Sequence, residues 1–152
     1  TGTIITRYED AFAAIPLLVS FIPMLMDTGG NCGSQSSTLI IRGIALNQVT
    51  FHDFFRVIWK EFRVSLIVGV VLAIANGLRI YLTYQQAGMA IVIALSLVAT
   101  VISAKLLGCI LPMCAKKIGL DRALMASPLI TTIVDASSIM IYFFIATKVF
   151  HL

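Results

Sequence analysis

Charge is scarce in this chain. Only 12% of its 152 residues are charged, 59% are hydrophobic, and the mean hydropathy is +1.00. A soluble domain of this length rarely covers itself with so few charges. The question becomes how many times the chain crosses a bilayer. Histidine is almost missing as well: His52 lies among charges and His151 closes the last apolar run. There is no Gly-x-Ser-x-Gly, no His-Glu-x-x-His, no phosphate loop and no dinucleotide fingerprint. Asp135 with Ser138 has neither a general-base partner nor an oxyanion site in sequence. The chain is therefore read as a non-enzyme. The three cysteines, Cys32, Cys109 and Cys114, are odd in number, form no Cys-x-x-Cys and sit in or beside apolar runs. They read as reduced, structural residues.

The net charge of +4 does not come from a basic cluster. No nucleic-acid partner is expected, and the scattering of Lys and Arg through short loops points to orientation in a lipid bilayer. Residues 1–10 carry Glu9 and Asp10 and have no apolar core, so no signal peptide is visible. The chain opens on Thr1, and it is expected to be a piece of something longer.

What is present is a set of long apolar runs. A spanning helix needs about 20 apolar residues. Four stretches reach or approach this: 11–46, 64–84, 87–115 and 123–150. The expected fold is an all-α integral membrane protein with four transmembrane helices, forming a single pore domain over 1–152. The first helix is expected to break at 27–36, where three glycines, amides and hydroxyls interrupt the apolar run. Irregular backbone at that depth is tolerated only inside protein or against water. The same glycines also suit close helix packing.

The connections are expected at 47–63, near 85–88, and at 116–122. The first mixes Asp53, Arg56, Lys60, Glu61 and Arg63 with Phe51, Phe54, Phe55, Trp59 and Phe62. It reads as an interfacial helix, about 51–63, that rises into the second span. Lys and Arg mark 47–63 and 116–122 as cytoplasmic and leave both termini external. An external N-terminus without a signal peptide implies a preceding membrane helix.

Asp135 is the residue that points to chemistry. It stands inside a nearly continuous apolar run, and a carboxylate at membrane depth is expensive unless it meets protein, water or a cation. At about 100° per residue, Thr131, Asp135, Ser138 and Tyr142 share one narrow helical sector. That stripe suits a cation path. Lys105, in the later half of the third run, has three readings: it snorkels to the interface, it pairs with Asp135 or another carboxylate, or it acts as a fixed charge in coupled transport.

The run Thr28-Gly29-Gly30-Asn31-Cys32-Gly33-Ser34-Gln35-Ser36, followed by an apolar stretch and Arg42-Gly43-Ile44-Ala45, resembles the signature of the MgtE family of magnesium channels and transporters. Gly108-Cys109-Ile110-Leu111-Pro112 and the segment from Pro128 to Asp135 agree with it too. The resemblance implies a homodimer of five-helix protomers around a two-fold pore, of which this chain supplies four helices, the first being missing. It implies Mg²⁺ as the transported ion, with Asp135 at the central metal site and Thr131 beside it. Gly29, Gly30, Asn31, Gln35, Ser127, Ser138 and Tyr142 would line the pore. Ser127 stands where many members have Asn, and Lys105 where a neutral residue is expected. Two alternatives remain open: a sodium-coupled magnesium exporter, with Na⁺ as a second ion, and a non-transporting membrane scaffold in which Asp135 and Lys105 pair.

Overall fold

A computed structural model of the chain describes residues 16–119 and 127–150. The 3₁₀ turn Pro16–Phe21 leads into α1, Ile22–Ala45. A second 3₁₀ turn, Phe51–Asp53, leads into α2, Phe54–Tyr84. The helices α3, Ala87–Ile118, and α4, Ser127–Phe150, follow. Among the described residues there is no strand. At 1.5 Å per residue, α2 and α3 each exceed 45 Å or so, well beyond the roughly 30 Å hydrocarbon layer. Among the described residues three helical stretches are long and apolar enough to cross a membrane: Phe51–Tyr84, Ala87–Ile118 and Pro128–Phe150. The chain is an all-α membrane protein. The remaining helix, α1, is long enough at 24 residues but carries Asp27, Asn31, Gln35 and several hydroxyls.

Local chemistry sets the helix ends. Pro23 sits in the first turn of α1, where a missing N–H costs nothing. Past its end, Asn47 takes a left-handed φ of 54°, and the amides of Gln48 and Val49 both donate to the Gly43 carbonyl. A capping box starts the next segment: the Thr50 amide and hydroxyl donate to Asp53 Oδ2 at 3.1 and 2.9 Å. Gln85 and Gln86 alone join α2 to α3, with Gln85 left-handed at φ 55°. Gly119, at φ 77°, ends α3.

α3 is the centre of the bundle and packs against α1, α2 and α4, while α1 also packs on α4. At one end the core is Leu18, Phe21, Leu25, Met89, Ile93, Leu97, Ile139 and Phe143. At the other it is Ile40, Ile44, Cys109 and Met113. The outer face of α2 leaves Ile67, Val71, Ile74 and Leu78 exposed, as a lipid-facing surface would.

One expectation needs correction. The first helix is not broken at 27–36: α1 is continuous from Ile22 to Ala45. Its glycines serve close approach instead. A methyl at Gly108 would overlap the carbonyl of Gly33, so the α1 and α3 backbones touch. The helix expected over about 51–63, rising into the second span, opens on a turn at Phe51–Asp53. Beyond it, residues 54–63 continue without interruption into the spanning part of α2. The nearest irregular backbone to the glycine segment is the junction between the 3₁₀ turn and α1, at Phe21 and Ile22.

Candidate cation site

The site begins with the pairing of α1 and α4. α4 opens on Ser127 and Pro128, and the Pro128 carbonyl accepts hydroxyl hydrogen bonds from Thr131 and Thr132 at 3.0 and 2.8 Å. One turn above Thr131 comes Asp135; both are half-buried. Gly30 of α1 lies against them. A methyl there would stand 3.4 Å from Asp135 Oδ1 and 3.7 Å from the Thr131 methyl. The missing side chain therefore leaves room for the carboxylate at the edge of the helix pair. Asp27, nearly one turn back along α1 and exposed, lies within electrostatic reach of Asp135.

α1 continues the polar surface. Asp27, Asn31, Gln35, Thr38 and Arg42 are all exposed, at spacings of four, four, three and four residues, which keeps them on one side of the helix. Ser34, Gln35, Thr38 and Leu39 line an open groove of about 480 Å³. The donors gathered here are oxygens: two carboxylates, a threonine hydroxyl and two amides. Such a set suits a hard cation and gives no reason to favour a thiophilic one. Cys32, between Asn31 and Gly33, is buried with Val101, Ala104, Ile130 and Val134. Among the described residues no three His, Cys, Asp or Glu side chains come together as a metal cluster.

The polar stripe expected on α4 divides. Thr131 and Asp135 reach the open edge. Ser138 and Tyr142 do not: they are 1% and 0% exposed. Ser138 Oγ donates to the Val134 carbonyl at 2.7 Å, and a methyl at Gly29 would stand 2.6 Å from that oxygen. Tyr142 donates to the Leu18 carbonyl at 2.8 Å and packs in the apolar core. Both side chains are used in packing, because α1 and its preceding turn cover that end of α4. Gly29 and Gly30 are buried at the same contact, while Asn31 and Gln35 are exposed. The side chain of Ser127 lies outside the described residues.

Sequence reasoning missed Glu61. Its neighbours in sequence suggest an interfacial charge, yet it is 9% exposed and forms an ion pair with Lys105, itself 7% exposed, at 3.4 Å. Ser36, fully buried, accepts from Lys105 Nζ at 3.2 Å and donates to Glu61 Oε2 at 3.0 Å. Lys105 therefore does not snorkel, and its partner is not Asp135. The signal was present in the spacing of α2. Glu61, Ser65, Gly69 and Ala73 recur every fourth residue and all are buried. Ser65, Gly69 and Ala73 form a small-residue stripe that packs on α3, with Gly69 against the backbone of Val98. Glu61 stands at the end of that stripe.

Residues 22–145 match the family model MgtE, described as a divalent cation transporter. The chain is 35% identical over 151 residues to the magnesium transporter MgtE of Bacillus subtilis, covering 99% of this chain and 34% of that protein. It is 35% identical over 146 residues to the magnesium transporter MgtE of Thermus thermophilus, covering 96% and 32%. Against the magnesium transporter MgtE of Enterococcus faecalis it is 30% identical over 147 residues, covering 97% and 32%. The chain spans about a third of the length of these curated relatives.

Proposed function

Given that the chain belongs to the MgtE family of divalent cation transporters, we propose that it carries Mg²⁺ across a membrane through a pore shared by two copies of itself, with Asp135 at the central ion site. One observation supports this most: among the described residues α1 is the helix that falls short of a lipid-compatible composition, and it exposes Asp27, Asn31 and Gln35 on the side of the helix pair where Asp135 lies. Asp27, Asn31 and Gln35 cannot face hydrocarbon at low cost. A second copy across a water-filled path gives them the surroundings they need.

Mg²⁺ holds its water tightly and takes six oxygens near 2.1 Å. One chain offers Asp135, with Thr131 one turn away, and no closed ligand set. Two Asp135 carboxylates facing each other would hold the hydrated ion through its water. Their mutual repulsion when empty favours ion entry. Asn31, Gln35 and the hydroxyl of Thr131 would contact the outer water shell. In the same reading the Lys and Arg side chains of 47–63 and 116–122 hold those loops in the cytoplasm, with the chain's termini on the other side. The scaffold alternative paired Asp135 with Lys105, and the commitment of Lys105 to Glu61 counts against it.

The test is Mg²⁺ flux into liposomes holding an ion-sensitive dye, with and without a sodium gradient. At an effective dielectric constant near 20, one unit charge close to an ion is worth several kcal/mol. Asp135→Asn, which keeps the volume, is expected to lower flux at least about tenfold while the protein still assembles as a dimer. Normal Mg²⁺ flux through that variant would remove Asp135 from the mechanism. Flux that requires the sodium gradient would replace the pore with a coupled exporter.

A further inference from the structure

We propose that Ser36, Glu61 and Lys105 are positioning residues that fix the rotation of α1 about its own axis, and so decide which of its polar side chains meets the permeating cation. This rests on the reading of α1 as a pore-facing helix.

The problem they solve is visible in the sequence of α1. From Asp27 to Thr38 the helix reads Asp-Thr-Gly-Gly-Asn-Cys-Gly-Ser-Gln-Ser-Ser-Thr. Polar or very small residues occupy every face of these three turns. Apolar burial normally selects the inward face of a helix, and here it has almost nothing to select. A roll of about 100° would exchange Gln35 for Ser36 at the open edge; Leu25, Ile40 and Ile44, buried at the two ends of the same helix, oppose it from outside these turns. Within the turns, other contacts have to define the angle.

Two contacts do so, one turn apart. The first is the backbone approach of Gly33 to Gly108, which sets the distance and limits the roll, because even a methyl at Gly33 would crowd Val134 and the Ala104 carbonyl. The second is the closed ring of Lys105, Ser36 and Glu61, which joins α3, α1 and α2. It is directional. Lys105 donates to the Ser36 hydroxyl, that hydroxyl donates to Glu61, and Lys105 faces the same carboxylate oxygen. All three are nine-tenths or more buried. Turning Ser36 away would leave an ion pair with one donor and one acceptor unmet inside the protein, which is costly. A single buried polar group can set helix register in this way at some expense of stability. Ser36 follows Gln35 directly, so holding Ser36 inward holds Gln35 at the open groove. It also holds Gly30 against Asp135 and Asn31 outward.

The experiment reads the angle itself and does not depend on transport. In membranes, Gln35→Cys and Ser37→Cys are placed singly in the full-length protein after Cys32→Ala and Cys114→Ala. Labelling with a membrane-impermeant maleimide is then measured. Cys109, fully buried, stays as an internal gauge of unfolding. With the ring intact, Gln35→Cys should label at least tenfold faster than Ser37→Cys. Glu61→Gln or Lys105→Met should collapse that ratio toward one while Cys109 stays protected. The exchanged pair, Glu61→Lys with Lys105→Glu, should restore it. Ser36→Ala leaves both charges and serves where a charge variant fails to fold; it too should lower the ratio. An unchanged ratio in the folded single variants would overturn the proposal. So would Cys109 labelling in step with Ser37→Cys, which would mean general loosening, or failure of the exchanged pair to restore the ratio. If the ratios behave as expected but no variant alters Mg²⁺ flux, the ring sets the angle and the transport reading is what fails.

Discussion

Replacing Gly108 by Ala should damage this protein, and replacing Gly77 by Ala should not. Both glycines lie inside long helices, where Ala is favoured by about 0.8–1 kcal/mol on propensity alone. The difference is what a new methyl meets. At Gly77 it would stand 3.5 Å from the Ala94 methyl and 3.7 Å from the Ala90 carbonyl, ordinary contact distances. The propensity gain should survive there, giving up to about 1 kcal/mol of added stability. At Gly108 the methyl overlaps the carbonyl oxygen of Gly33 and crowds its Cα, and these are backbone atoms of a packed helix that cannot swing aside. Relief requires α1 and α3 to move apart. Overpacking of this kind costs about 1–3 kcal/mol, and a clash with backbone belongs at the upper end. Less the propensity gain, the net loss is about 2 kcal/mol, or roughly 30-fold in the folding equilibrium. Unfolding in mixed detergent and SDS micelles, followed by circular dichroism, measures both. The reasoning is refuted if Gly108→Ala and Gly77→Ala shift the midpoint in the same direction by similar amounts.

Lys105→Met should cost about 3–5 kcal/mol, because it strands a carboxylate that is 9% exposed; adding Glu61→Gln should recover much of that loss in the same unfolding assay, whereas strictly additive losses would mean the two side chains do not interact. Tyr142→Phe should cost about 1–3 kcal/mol in the same assay by leaving the Leu18 carbonyl without its donor, with Mg²⁺ flux unaffected in the folded fraction, since the side chain is enclosed by the core. Asp27→Asn should reduce Mg²⁺ flux less than Asp135→Asn does, because Asp27 is exposed and its charge is better screened; a larger loss than for Asp135→Asn would move the main ion site to α1.

The apolar runs made the helices legible. Residues 64–84, 87–115 and 123–150 foretold three of them, since a lipid-spanning helix leaves its length in the sequence. The same period pointed to Asp135 and Thr131. It could not tell which end of that stripe α1 would cover, so Ser138 and Tyr142 were placed on an open path and proved to be enclosed. The glycine segment misled because Gly permits both a break and a close approach, and only the partner at Gly108 decides between them. Glu61 was hidden by its company. Arg56, Lys60 and Arg63 made it look like one more surface charge, while the stripe of Ser65, Gly69 and Ala73 that draws it inward is a packing signal and not a polar one.

The uneven apolarity of the four helices also bears on how the molecule is made. α2 and α3 are joined by two residues and are apolar enough to enter a bilayer as a hairpin. α1 leaves the ribosome before either of them, yet a segment carrying Asp27, Asn31 and Gln35 has little tendency to partition into lipid unaided. The surfaces that accept it, Gly108 and Ala104 on α3 with Val134 and Ile130 on α4, are synthesised later. Its final seat inside the membrane therefore exists only once α4 has been made, and the order of assembly in space runs against the order of synthesis.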